Sequence, residues 1–200
     1  MVFSDERRLF EDVGSDDGRT LREILREATA ADHVALDHAL ADFDLRTRGD
    51  LARFLAIHLA ARTGVEHWLA ANCATGWTPP PQTALIASDL GALGGSTEAL
   101  DPPAFELSPE ADWTGPAYVI AGSHLGNRLL LAQAGGALPQ NARRFLTGAA
   151  MQDYWRRLRT LLSEGCGPNG SAAAIAGARA TFAHFATCVE RYADARLAAA

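Results

Sequence analysis

Apolar residues in this chain recur at steps of three and four, and nowhere do they alternate over the length of a strand. That periodicity restricts the fold to packed helices. Thr20 to Ala41 carries Leu21, Leu25, Ala28, Leu36 and Leu40 at near-helical spacing, with Glu23 and Glu27 in the first turns, where negative charge suits the helix dipole. Leu51 to Ala71 follows with Leu51, Phe54, Leu55, His58, Leu59, Val65 and Leu69, and the prolines of "ATGWTPPPQ" end it. Gln82 to Leu93 is a shorter helix, and a long loop, "GGSTEALDPPAFELSPEADWTGP", leads to another from about Pro116 to Ala134. "GGALPQN" precedes a helix from Ala142 to Leu162, and "SEGCGPNGS" separates that from a last one, Ser171 to Leu197. The expectation is an all-α, single-domain multi-helical bundle over residues 20–200, behind a polar leader of residues 1–19. Two hundred residues suffice for one sizeable core and are thin for two.

A net charge of −6 argues against general nucleic-acid binding, which needs basic surface to displace counterions. The apolar runs fall short of a bilayer span, and the N-terminus is too acidic for a signal peptide. No membrane association and a cytoplasmic location are therefore expected. Cys73, Cys166 and Cys188 are odd in number and lack CxxC spacing, which makes them reduced thiols without chemistry. No P-loop, GxSxG, HExxH or dinucleotide fingerprint is present, and no Glu-x-x-His that would build a di-iron site in a bundle; Glu66 and His67 are adjacent and point apart.

The histidines divide into two groups. His38 is expected at the surface, and His58, His67 and His184 as satisfied core or boundary residues on apolar helix faces. His33 has Arg26 seven residues earlier, two turns up the same face and roughly 10.5 Å along the axis of an unbroken helix. A neutral imidazole and a cation so spaced could hold a flat anionic cofactor, or simply belong to an amphipathic helix. His124 lies between Gly122 and Gly126 in "YVIAGSHLGNRLL", where each glycine costs roughly 1 kcal/mol against alanine. The glycines either let another helix come close or let backbone approach a flat ligand beneath a kink. His124, about 200° around the helix from Gly122, is expected to point outward into solvent. The arginine-rich "YWRRLRTLLSE" is a solvated face or a source of guanidinium groups for anions.

The two segments together bear a family likeness. "LREATAADHVALDHAL" resembles the proximal helix of heme oxygenases, and "YVIAGSHLGNRLL" resembles their distal helix, particularly in the bacterial, biliverdin-producing type found with bacteriophytochromes. The likeness extends more loosely to Leu51–Leu69, "LIASDLGALG", "YWRRLRTLL" and "ATFAHFATCV", in the family's order. It implies a heme-oxygenase-like bundle that cleaves heme with O2 and external electrons to biliverdin, Fe2+ and CO, with heme b as both cofactor and substrate. By the same likeness His33 matches the proximal iron ligand and Arg26 a partner of a heme propionate. Gly122 and Gly126 match the glycines over the porphyrin face, and Ser123 a distal position that is aspartate in mammalian-type relatives. Arg156, Arg157 and Arg159 fall in a region of further propionate partners, with Tyr118 a neighbour. Asn127 replaces the second glycine of the family's distal pair and needs space near the ligand. Electrons would come from a separate reductase or ferredoxin, since no flavin or nicotinamide motif is present, and a bacteriophytochrome would be a receiver of product. The alternative is a heme-oxygenase-like protein that binds heme or another tetrapyrrole without degrading it, with His124 as a second axial ligand.

Overall fold

The structure is a computed structural model that describes residues 18–98, 100–134, 138–164 and 170–194. Most of the predicted leader and Cys166 lie outside the described residues. Eight helices occur among those described: α1 (Leu21–Ala28), α2 (Ala30–Leu40), α3 (Arg48–Asn72), α4 (Thr83–Ala92), α5 (Thr114–Ala134), α6 (Arg144–Thr147), α7 (Ala150–Glu164) and α8 (Gly170–Tyr192). The all-α expectation holds; no strand occurs among the described residues.

Local chemistry sets the starts. Thr20 and Glu23 form a reciprocal capping box at the head of α1. Thr47 Oγ1 accepts from the Asp50 amide at the head of α3. The α4 N-terminus is capped from a distance: the Glu66 carboxylate accepts from the amides of Gln82 (3.0 Å) and Thr83 (3.3 Å).

Two predicted helices are divided. The first is interrupted at Thr29, where Arg179 of α8 takes the carbonyl of Ala28 with two donors, at 2.9 and 3.3 Å. Arg26 and His33 therefore stand on different helices, and the single-face argument between them does not apply. The other is broken at Gly148, separating the one-turn α6 from α7.

α8 is the spine. It packs on α5, α3, α2 and α1, and its buried face includes Phe182, Phe185, Cys188 and Val189. By length and composition alone α8 could cross a membrane, but it is half buried by these neighbours, as a core helix is. α2 packs on α8 and α1 and buries no residue of its own; α5 packs on α8, α7, α6 and α3. Leaning two helices on one spine leaves each with a side that other helices do not cover.

Candidate functional site

α5 is an unbroken helix through both glycines, not the interrupted one its sequence suggests. At 100° per residue, Tyr118, Gly122, Leu125, Gly126 and Leu129 share a sector of about 100°. Leu125 and Leu129 are 52% and 60% exposed. The opposite sector holds Ala117, Ile120, Ala121, His124 and Asn127, all buried. His124 thus points away from the glycine face, as its spacing predicts, but what lies on that side is core rather than solvent. The expectation of a solvent-exposed His124 is corrected, because the back of α5 is buried, with Arg62 of α3 reaching Ile120 and Ser123 there. Asn127, only 4% exposed, belongs to the same sealed side and not to the glycine face.

The glycines discriminate between their two readings. A Cβ added at Gly126 would meet nothing within 4 Å, and one at Gly122 would touch only Trp155 Cη2, at 3.9 Å. Among the described residues, no helix presses on this face at Gly126. The close approach it permits is to something other than the chain's own backbone.

On α2, His33 is exposed, with its ring in edge contact with Phe182 of α8 (6.0 Å between centroids). Its Nδ1 lies 2.9 Å from Asp37 Oδ2, one turn on. In the neutral ring Nδ1–H donates to that carboxylate, which leaves the Nε2 lone pair available. A carboxylate holding one ring nitrogen so that the other can bind metal is a recurrent arrangement. Val34, the next residue, is 64% exposed. Large apolar side chains are exposed on two helices that pack on α8, Val34 on one and Leu125 and Leu129 on the other.

One edge of the α5 face is basic. Burial raises the Tyr118 phenol's pKa, and the positive charges of Arg22 and Arg26 on α1 oppose that rise. The Tyr118 ring lies 5.8 Å from that of Trp155 on α7. Arg26, Tyr118 and Gly122 are thereby brought together. Arg159, one turn beyond Trp155, is exposed on the same flank of α7. Arg156 pairs with Asp153 at 3.1 Å in solvent, and Arg157 is committed elsewhere, to the Gly76 carbonyl (2.9 Å) and the face of Trp77 (5.1 Å).

Ser123, on the flank between the two sectors, donates to the Ile120 carbonyl (2.9 Å) and accepts from Arg62 (2.8 Å). Sequence reasoning missed Arg62, Asp37 and Arg22. Asp37 has a local signal, the i,i+4 step from His33; Arg22 lies one turn before Arg26; Arg62 has none.

The remaining histidines include two corrections. His184 is a satisfied core residue, its Nε2 3.2 Å from the Ala61 carbonyl. His67 is exposed rather than on a core face. His58 is buried among Phe54, Phe145 and Phe185, but neither ring nitrogen has a hydrogen-bond partner among the described residues. Burial and the nearby Arg62 charge push its pKa down to about 3. Burial pushes the thiols the other way, Cys73 to about 12 and Cys188 to about 11, which makes both poor nucleophiles. No cluster of three or more His, Cys, Asp or Glu side chains that could hold a metal ion occurs among the described residues.

No family model matches the chain. It is 35% identical over 146 residues to a heme oxygenase of Xanthomonas campestris pv. campestris, a match covering 69% of this chain and 87% of that one. Its fold is that of a heme oxygenase from Neisseria meningitidis, solved with NO and CO bound. The TM-score is 0.71 and the identity 22%, over 89% of this chain and 96% of the other. With an exposed, carboxylate-held histidine on one helix and an open glycine face on another, the chain belongs to the heme oxygenase family.

Proposed function

We propose that this chain degrades heme, using O2 and externally supplied electrons, to biliverdin, Fe2+ and CO. The observation that carries the reading is that two helices packed on α8 carry, on one, a carboxylate-held imidazole (α2) and, on the other, an apolar face with two glycines (α5). The residues present fit heme b. A metal that arrives with four equatorial nitrogens needs one protein ligand, and a flat macrocycle needs a face without side chains. When bound, heme supplies both the iron that activates O2 and the ring carbon that is oxidised.

The chain's own residues supply position and polarity. His33, neutral and with its proton on the Asp37 side, would ligate iron through Nε2. Gly122 and Gly126 would bring the α5 backbone against the opposite face, while Leu125, Leu129 and Val34 exclude water from the macrocycle's flanks. Arg26 and Arg22, with the Tyr118 hydroxyl, would hold propionates at the basic edge. Arg159 is an outer partner there, and Arg156 a weaker one, since Asp153 already engages it. Ser123 would order a proton-carrying water on the distal side. Asn127 has no place in this assignment beyond packing the back of α5. Electrons would come from a reductase or ferredoxin in the cytoplasm, and a bacteriophytochrome is a candidate receiver of biliverdin.

The non-degrading alternative in its bis-histidine form requires His124 on the iron side. His124 is on the buried back of α5. The deciding experiment adds one equivalent of hemin and a reductant under air. Loss of the Soret band with growth of a biliverdin spectrum is expected, and His33→Ala should lose the histidine-ligated spectrum together with turnover. Normal turnover by His33→Ala would remove that residue from the iron.

A further inference from the structure

Behind the open face of α5, α3 contributes a buried charge that neither its spacing nor its neighbours in sequence single out. Arg62 is 1% exposed. Its Nη2 donates to Ser123 Oγ (2.8 Å) and to the Ile120 carbonyl (3.2 Å), and its Nη1 reaches Glu66 Oε1 at 3.5 Å. The guanidinium carbon sits 5.2 Å from the centroid of the Phe145 ring.

The hydrogen-bond roles around Ser123 are forced. A guanidinium can only donate and a carbonyl can only accept. Ser123 Oγ, 2.9 Å from the Ile120 carbonyl, must therefore give that carbonyl its single proton and accept from Arg62. One acceptor lone pair remains, and no donor. A serine hydroxyl ordinarily rotates to serve either role, whereas this one is clamped. In a regular helix the Ile120 carbonyl serves the amide four residues on. Two side-chain donors also address it, two residues before Gly122.

Stability is a poor explanation for Arg62. Its ion pair with Glu66 is long, and its Nε has no protein partner among the described residues. Burial lowers its pKa and Glu66 opposes that. Apolar replacements of such buried pairs are often neutral or stabilising.

We propose that Arg62 is a positioning residue for the distal side of the heme site, clamping Ser123 from behind α5 as a one-sided acceptor. A water bound to Ser123 then gives it one proton and keeps the second for the ligand side. This rests on the heme oxygenase reading above.

The test uses the full chain as parent, Arg62→Met, Arg62→Lys, Ser123→Ala and the Arg62→Met, Ser123→Ala double variant. With one equivalent of ferric heme bound, Arg62→Met should shift the acid–alkaline spectral midpoint by about half a pH unit or more. Biliverdin formation should fall about tenfold while hemin affinity stays within about threefold. Ser123→Ala should reproduce the shift, the double variant should add nothing, and Arg62→Lys should fall between. Without heme, Arg62→Met should speed amide hydrogen exchange at residues 120–126. A parent-like midpoint in Arg62→Met, or shifts that add in the double variant, overturns the proposal. Should Arg62→Met not fold, Arg62→Lys combined with Ser123→Ala decides by the same additivity. A parent that gives no Soret band with hemin would instead sink the family function, an outcome separable from all of these.

Discussion

A Cβ built on Gly115, in the first turn of α5, would press on the carbonyl oxygen of Ala174 and lie 2.6 Å from the amide nitrogen of Ala178, both on α8. Eleven residues along the same helix, a Cβ on Gly126 would meet nothing within 4 Å. Both glycines belong to α5 in the fold. One is required by the fold, since backbone meets backbone there; Gly177, whose Cβ would lie 2.8 Å from Pro116 Cδ, answers it from α8. The other contributes nothing to packing and weakens α5 without structural return. A cost that the fold does not offset is evidence for a ligand, and it is evidence only because the first case shows what an offset cost looks like.

The largest effect is therefore expected at the sealed end. Gly115→Ala forces rigid backbone apart where α5 and α8 cross, at a cost of about 3 kcal/mol. In a chain this size that is a fall in Tm of roughly 6–12 °C. Thermal unfolding of the ligand-free protein checks it, and a Tm within 2 °C of the parent's, about one degree's scatter on either side, would mean that the approach of α5 to α8 is looser than described.

This contrast was not available from the sequence. Helical periodicity located the helices, because it reads which side of each is apolar, and "GS-LG" with "H" three helices earlier supported the family likeness. It left Gly115 in a loop ahead of the helix, and it could not tell that the far side of α5 from Gly122 is core, so His124 was assigned to solvent. The break at Thr29 depends on Arg179, 150 positions later, taking the Ala28 carbonyl. Arg62 was invisible for the same reason. Its partners Ile120 and Ser123 lie 58 and 61 residues away, and an arginine on an amphipathic helix reads as surface until the chain is folded. Local signals served where the partner was one turn off, as with His33 and Asp37.

The next effect probes the sealed side through pH. His58 is neutral in the fold, with its pKa near 3 against an ordinary 6.5. Between those values the unfolded state binds the extra proton, so stability falls as pH is lowered and is fully present above about 6.5. From pH 6.5 to 5 the expected loss is about 2 kcal/mol, at 1.36 kcal/mol per unit. His58→Leu, surrounded by Phe54, Phe145 and Phe185, should flatten that part of the stability curve. Chemical denaturation at pH 7, 6 and 5 measures it. Parallel curves for parent and variant would show that the His58 side of α5 admits water and is not sealed.

The smallest change in stability, and the most informative, belongs to Gly126→Ala. With open space around the new methyl and a helical backbone beneath it, the substitution should stabilise the ligand-free chain by up to about 1 kcal/mol. Its Tm should rise by roughly 2–4 °C. The same methyl stands on the face that the macrocycle would occupy, so hemin affinity should fall while stability rises. Opposite signs in one variant distinguish a ligand-facing glycine from both a packing glycine, where stability falls, and an idle one, where affinity does not move. If Gly126→Ala bound hemin as tightly as the parent and was simply more stable, the open face of α5 would lie away from the heme. The ligand would then have to be sought on another side of α2.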